Sequence, residues 1–197
     1  ALDKGEVDAV ADSEPIGSML VAQGKVRNIA DEATDVPYKD EYCCAVLVNG
    51  KFLARNPKAS AAATRALLKA AKWVEANPVA AAKLSVEKKY LASTVEQNAV
   101  AISHLRYIPS VSGAETAVKL AATEMTIARM LSPATDVEAL AKRAFVHLDG
   151  VTDEWLKSVQ VEKVADSQVP LAWINRQYAK NNVSDPFCSA CLVPSSQ

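Results

Sequence analysis

Asp12, Ser13 and Glu14, followed by Pro15, form the segment of the sequence best suited to bind a small polar ligand. Ser13 offers a hydroxyl and a backbone N–H to an anion or a polar group, and Glu14 can accept a hydrogen bond from a donor on the ligand. The apolar residues 7–11, directly before this segment, predict a short β-strand. Ligands commonly bind where the strands of an α/β sheet end, so this order predicts a binding loop.

Glu14 also has a structural interpretation. The apolar residues at helical spacing within 16–23 predict a helix that is closed by Gly24. A carboxylate is favoured near a helix N-terminus, so Glu14 could cap this helix instead of contacting a ligand.

The sequence contains four cysteines, in two pairs. Cys188 and Cys191 have C-x-x-C spacing, which predicts a disulfide or another structural role, with a metal site and no special role as the alternatives. A zinc site needs about four ligands, and Cys43 and Cys44 complete the set only if the C-terminus folds back onto them. Adjacent cysteines in an apolar run more often pack as small hydrophobic residues.

The remaining residues give little indication of catalysis. His104 and His147 lack the spacing that places two metal ligands on one helix face, so both are predicted to be surface or capping groups. The sequence contains no G-x-S-x-G, P-loop or G-x-G-x-x-G motif. We therefore expect a protein that is not an enzyme and that uses no cofactor.

The composition limits the partners. Half of the 197 residues are apolar and the net charge is −1, so nothing suggests binding to nucleic acid or to an anionic membrane surface. No run approaches the roughly 20 apolar residues that span a bilayer.

The elements that must position these residues change along the chain. Strands are predicted at 7–11, 26–29 and 42–48, with a polar loop at 31–40 and a turn at Asn49-Gly50. From Asn56, read as an N-cap before Pro57, helices are predicted at 57–76, 78–84, 94–103, 112–131, 136–144 and 152–159. The prediction is an α/β fold that is predominantly helical after residue 56.

Three parts are expected: residues 1–41 as a β-α-β fragment, 42–165 as a strand followed by helices, and 166–197 as an irregular tail. Parallel strands need neighbours and covering helices, so two strands cannot bury their own faces. We therefore expect further strands, and any signal peptide, in a portion upstream of Ala1.

Several short motifs follow one another in a characteristic order. They are Gly5-Glu-Val-Asp-Ala9, Glu14-Pro15, Phe52-Leu-Ala-Arg-Asn-Pro57 and Trp73-Val-Glu-Ala-Asn-Pro78. Over roughly residues 1–160 the chain resembles the second half of a periplasmic substrate-binding protein of ABC importers. The resemblance is to the group that binds nitrate, sulfonates, taurine and thiamine precursors.

The resemblance implies a two-lobed, type II binding-protein fold that closes over a small polar or anionic organic solute. It implies a periplasmic or extracellular setting and delivery of the solute to a membrane permease. The ligand-binding residues that it implies are Asp12, Ser13, Glu14, Tyr42 and Cys43. Nitrate-binding relatives carry a Lys at the position of Tyr42, so this departure favours an aromatic or less charged solute, unless Lys39 supplies the cation.

Two alternatives belong to other classes of protein. One is an enzyme on the same fold, related to the synthesis of thiamine precursors. The other is a metal or redox module built on Cys188 and Cys191.

Overall fold

A computed structural model describes residues 1–166, 168–174 and 191–194. The chain divides into two compact units that are each discontinuous in sequence. The first comprises Ala1–Asp40, Trp73–Tyr107 and Glu162–Gln197, and the second comprises Glu41–Lys72 and Ile108–Val161. The predicted boundaries between the three parts of the chain, at residues 41 and 165, stay a prediction.

The first unit begins with short elements joined by glycines. A 3₁₀ turn, Leu2–Lys4, ends at Gly5, whose φ of 68° is the left-handed conformation that glycine adopts without strain. Helix α1 (Ile16–Ala22) and strand β1 (Val26–Ala30) follow. Val21 of α1 packs against Val26 of β1 and fixes the strand beneath the helix. The predicted helix at 16–23 and strand at 26–29 are confirmed.

Strand β1 pairs with a strand from the other end of the chain. Its antiparallel partner is β2 (Cys191–Pro194), with Val26 opposite Pro194 and an irregularity in the register between Asn28 and Ala30. The predicted β-α-β fragment is therefore wrong, because residues 7–11 form no strand apart from a single bridge at Val10. The prediction of an irregular tail is wrong at 191–194, which supply the pairing that β1 needs.

The chain is helical over most of its remaining length. The helices are α2 (Gly50–Arg55), α3 (Pro57–Ala76), α4 (Pro78–Glu87), α5 (Val95–His104), α6 (Val111–Ile127), α7 (Val137–Ala144) and α8 (Asp153–Ser158). The prediction of a chain that is predominantly helical after residue 56 is confirmed. No helix in the described part of the chain has the length and apolarity needed to cross a membrane.

Local capping fixes where several of these helices begin. The caps are Thr94, Ser110, Asp136 and Thr152, whose side-chain oxygens accept from the amides of Gln97, Gly113, Ala139 and Trp155. Each bond joins residues three apart and satisfies a donor that the helix itself leaves unpaired. This is why the predicted helices at 94–103, 136–144 and 152–159 are confirmed to within one or two residues.

Residues 42–48 do not form the predicted strand. They have no regular secondary structure, and Leu47 is 91% exposed. A strand exists through hydrogen bonds to a neighbour, and no residue in the described part of the chain pairs with this segment. The predicted turn at Asn49 is also wrong, because its side chain accepts from the amides of Lys51 and Phe52 and so begins α2.

Both Asn-Pro junctions, before α3 and before α4, share one backbone geometry. Asn56 has φ −136° and ψ 56°, and Asn77 has φ −140° and ψ 57°. Asn56 stands directly before α3 as predicted, but its side-chain amide donates back to the carbonyl of Phe52 at 3.3 Å and does not cap α3. Asn77 donates in the same way to Trp73 at 3.0 Å.

Helices α4 and α5 form the apolar core of the first unit. Ala81 and Ala82 of α4 pack against Ala99 and Ile102 of α5, and Trp73 packs against this cluster. Asn77 lies fully buried beside this core. Its amide donates to the carbonyl of Glu162 at 2.9 Å, and its carbonyl accepts from the amide of Val164 at 2.7 Å.

The second unit is held by polar contacts between elements far apart in sequence. Lys72 of α3 donates from Nζ to the carbonyls of Leu156 and Val159, each at 2.8 Å, at the C-terminal end of α8. Asp153, at the start of α8, accepts from the amides of Val111 and Ser112 at 2.7 and 3.0 Å. These bonds tie α3 and α6 to the two ends of α8.

Candidate ligand-binding site

Glu14 stands two residues before α1 and is held by its first turn. The hydroxyl of Ser18 donates to Oε1 of Glu14 at 2.7 Å, and the amide of Ser18 donates to Oε2 at 3.4 Å. Glu14 therefore contacts the first turn of α1, although the residue at the N-cap position is Pro15. Both bonds come from one buried serine, and they fix the direction in which the carboxylate points.

Asp12 and Ser13 lie beside Glu14 in a tight turn. The amide of Ser13 donates to Oδ1 of Asp12 at 2.8 Å, and the carbonyl of Ser13 accepts from the amides of Ile16 and Gly17 at 3.1 and 3.3 Å. Ser13 is exposed, whereas Asp12 is partly buried. The three predicted residues of this segment are therefore together, within the first unit.

The pKa of Glu14 is raised above its usual value. The main cause is burial, which disfavours the charged form. The hydrogen bonds from Ser18 oppose this rise, while the nearby charges of Asp31 and Asp12 add to it. The protein therefore holds Glu14 in surroundings that do not favour its negative charge, which is common at functional sites.

Asp31, at the end of β1, is the second acidic residue of the site. It is 4% exposed. Its Oδ1 accepts from the amide of Ala33 at 2.8 Å, and its backbone amide donates to Oδ2 of Asp35 at 2.8 Å. Its Oδ2 is buried without a hydrogen-bond partner. Burial raises the pKa of Asp31, and Asn28 partly offsets this rise by hydrogen bonding.

Two further residues lie near Asp31. Oδ1 of Asn28, on β1, is also buried without a hydrogen-bond partner. His104, the last residue of α5, is half-buried, and burial lowers its pKa while the charge of Asp31 acts in the opposite direction. The predicted surface or capping role of His104 stays a prediction, because this residue ends α5 and is neither fully exposed nor fully buried. His147 is exposed as predicted, with its imidazole 3.9 Å from the carboxylate of Glu115.

No lysine or arginine in the described part of the chain forms an ion pair with Glu14 or Asp31. Lys39, which could supply the cation that is missing at the position of Tyr42, is exposed. A buried carboxylate is normally paired with a cation or fully hydrogen-bonded. At this site Oδ1 of Asn28 and Oδ2 of Asp31 are therefore acceptor atoms without a hydrogen-bond partner among the described residues.

Tyr42 and Cys43 belong to the second unit, so their predicted place beside Glu14 stays a prediction. Within that unit the ring of Tyr42 lies over the backbone of Gly113, so close that a Cβ there would meet its Cε2 at 2.5 Å. The side chains of Cys43 and Cys44 are exposed, with their sulfur atoms 3.7 Å apart. They are not the buried strand residues that the apolar run predicts.

The cysteine pair near the C-terminus is not described as a whole, because Cys188 lies outside the described residues. Its predicted disulfide with Cys191 therefore stays a prediction. Within residues 1–166, 168–174 and 191–194, no three His, Cys, Asp or Glu side chains are placed to hold a metal ion.

Sequence reasoning missed Asn28, Asp31 and His104. Asp31 carries a usable signal, because it directly follows the predicted strand at 26–29, and strand ends are where ligands bind. His104 carries none, since it lies 73 positions beyond Asp31 in the numbering. Only the folding of the first unit brings α5 to the end of β1.

The site lies within a segment that matches a known family. Residues 1–89 match the family model of the NMT1-like family. This match fits the nitrate, sulfonate and taurine-binding group, a family of binding proteins that are generally not enzymes. In general terms it suggests a solute-binding protein of an ABC importer, and it is consistent with a periplasmic-binding fold. No curated protein and no solved structure matches the chain.

Proposed function

We propose that this chain is part of an extracytoplasmic solute-binding protein that delivers a small polar organic solute to an ABC permease. The observation that carries the proposal is the partly buried carboxylate of Glu14, held by Ser18 beside the buried Asp31. Convergent polar groups with perturbed pKa values are the mark of a binding site. The match of residues 1–89 to a family of binding proteins supports the same conclusion.

In this proposal the residues that contact the solute are Asp12, Ser13, Glu14, Tyr42 and Cys43. Tyr42 would supply an aromatic face and Cys43 a weakly polar one. None of the proposed roles requires a covalent step or a cofactor. Binding and release alone are what a transport component has to perform.

The exposed segment 42–48 supports a further part of the proposal. These seven mostly apolar residues, which lie outside any helix or strand, would pair with strands of a preceding portion of the same protein. Hydrogen exchange of the 197-residue chain and of a chain extended upstream tests this. Amides 42–48 should exchange fast in the first and be protected in the second; fast exchange in both would contradict the pairing.

Ligand-dependent stabilisation of the 197-residue chain tests the main proposal. A solute that binds only the native state stabilises it by about 2.7 kcal/mol at 100 times its dissociation constant. Thermal unfolding against a panel of amines, sulfonates, amino acids and nitrate should therefore reveal at least one saturable rise in Tm. The rise in Tm should be lost in the Glu14→Gln variant and retained in the Glu6→Gln variant, whose substitution is at an exposed position. A flat response across the panel would reject the proposal.

A further inference from the structure

Three acceptors of the first unit, Glu14, Asn28 and Asp31, are named here the acceptor cluster. Only 4% of the surface of Asp31 is exposed, so the residue is 96% buried, and its Oδ2 has no hydrogen-bond partner. Oδ1 of Asn28 is a second buried atom without a partner. Ser18 directs the carboxylate of Glu14 from the side of α1. The unsatisfied atoms of Asn28 and Asp31 are hydrogen-bond acceptors.

A buried acceptor without a partner destabilises the folded chain, so selection for stability alone would not retain it. Burying a polar atom without a partner typically costs the full free energy of its desolvation, and burying a charge without a partner costs more. Here two such atoms belong to Asn28 and Asp31, and the charge of Asp31 acts on Glu14. No lysine or arginine in the described chain forms an ion pair with either acidic residue. The missing partner is therefore something with N–H donors and positive charge.

We propose that the ligand of this site is an organic cation, a protonated amine or amidine, whose N–H groups bind the acceptor cluster. The inference rests on the proposed function and names the class of its solute. An ammonium or amidinium group offers several donors and no acceptor, so it satisfies Asp31, Asn28 and Glu14 together. An anion such as nitrate or a sulfonate would meet two carboxylates with which no lysine or arginine of the described residues forms an ion pair.

A metal ion fits the cluster less well than an organic cation does. Within the described chain no three carboxylate, imidazole or thiol side chains are close enough to coordinate one ion. Calcium takes six to eight oxygen ligands and zinc about four. An organic cation needs only hydrogen-bond geometry, and two or three acceptors suffice for it.

The test measures Tm of the 197-residue chain with benzamidine and 1,4-diaminobutane as cationic probes. Sodium nitrate, sodium ethanesulfonate and calcium chloride at equal ionic strength are the comparisons. The cationic probes should raise Tm in a saturable way by at least about 2 °C. Asp31→Asn should weaken their apparent affinity about tenfold or more, as loss of a charge-assisted bond predicts.

The control variant is Glu32→Gln, which removes an exposed charge next to Asp31 and should leave the response unchanged. Asp31→Asn keeps Oδ1 as an acceptor for the amide of Ala33, so its own Tm without probe should not fall. If it does fall, Glu14→Gln provides the same test from α1.

Each other outcome overturns the inference. Stabilisation by nitrate or ethanesulfonate alone would overturn it and leave the solute-binding function standing. Stabilisation by calcium alone would replace the organic cation by a metal. A response to the cations that neither variant reduces would place their binding elsewhere. No response to any probe would overturn this inference, and the function itself falls if the wider panel is also flat.

Discussion

The hydroxyl of Ser18 donates to Oε1 of Glu14 at 2.7 Å, inside a region that otherwise disfavours the charge of that carboxylate. Burial raises the pKa of Glu14 above its usual value, so the native state resists its ionisation more than the unfolded state does. Below the unfolded pKa of about 4.3 Glu14 is protonated in both states, so it does not destabilise the native state. The destabilisation grows as pH rises above this value and is complete above the raised pKa of the folded state.

We therefore predict that Glu14→Gln raises Tm at pH 7 in the absence of ligand, and that the gain disappears below about pH 4. Glu6→Gln, at an exposed position in the same unit, is the control and should show no such pH dependence. Thermal unfolding between pH 3.5 and 7.5 is the measurement. A lower Tm for Glu14→Gln at pH 7 would show that the carboxylate is stabilising where it lies.

Asn77→Ala should destabilise the first unit by about 2–4 kcal/mol. The substitution leaves the amide of Val164 and the carbonyl of Glu162 without their partner, next to a fully buried position. Asn56→Ala is a matched control, because Asn56 has nearly the same backbone angles and the same bond to the residue four before it, but is exposed.

We expect Asn56→Ala to cost under about 1 kcal/mol, since only a solvent-exposed hydrogen bond is lost. Urea unfolding of both variants measures the difference. Equal costs would mean that the contacts of Asn77 with 162–164 contribute little to stability.

Asp153 should make the second unit sensitive to acid. Hydrogen bonds from Ser112, Val111 and Ser110 lower the pKa of Asp153 to about 2. A depressed native pKa gives stability that is fully present above the unfolded value of about 3.9 and is lost as pH falls toward 2. Asp153→Asn should therefore lower Tm at pH 7, with a difference from wild type that shrinks between pH 4 and pH 2.

The control for this prediction is Asp149→Asn, in the same unit and exposed. Its Tm should follow the wild type at every pH. A difference between Asp153→Asn and wild type that is constant from pH 7 to pH 2 would assign the loss to shape rather than to charge.

Lys72→Met should destabilise the second unit by about 1.5–3 kcal/mol. Methionine keeps most of the apolar stem but removes the two bonds, each of 2.8 Å, to the last carbonyls of α8. A cation is also favoured at the C-terminus of a helix. Lys69→Met, on the same helix and exposed, should change the free energy of unfolding by less than about 0.5 kcal/mol. Equal effects on unfolding in urea would contradict this role of Lys72.

Sequence alone determined most helix positions in this protein. Thr94, Asp136 and Thr152 each bond an amide three residues further on, and Pro78 stands at the first position of α4. Such signals act within one turn, so they are complete in the local sequence. The same holds for Glu14, whose place before α1 follows from its neighbours.

Tertiary structure decided the strands and the composition of the acceptor cluster. A strand depends on its partner: β1 takes one from 191–194, and the apolar residues 42–48 have none in the described chain. The acceptor atoms of Asp31 and Asn28 became significant only through burial, and His104 came to them from α5. Burial and pairing are properties of the folded chain, because they depend on residues that local sequence does not bring together.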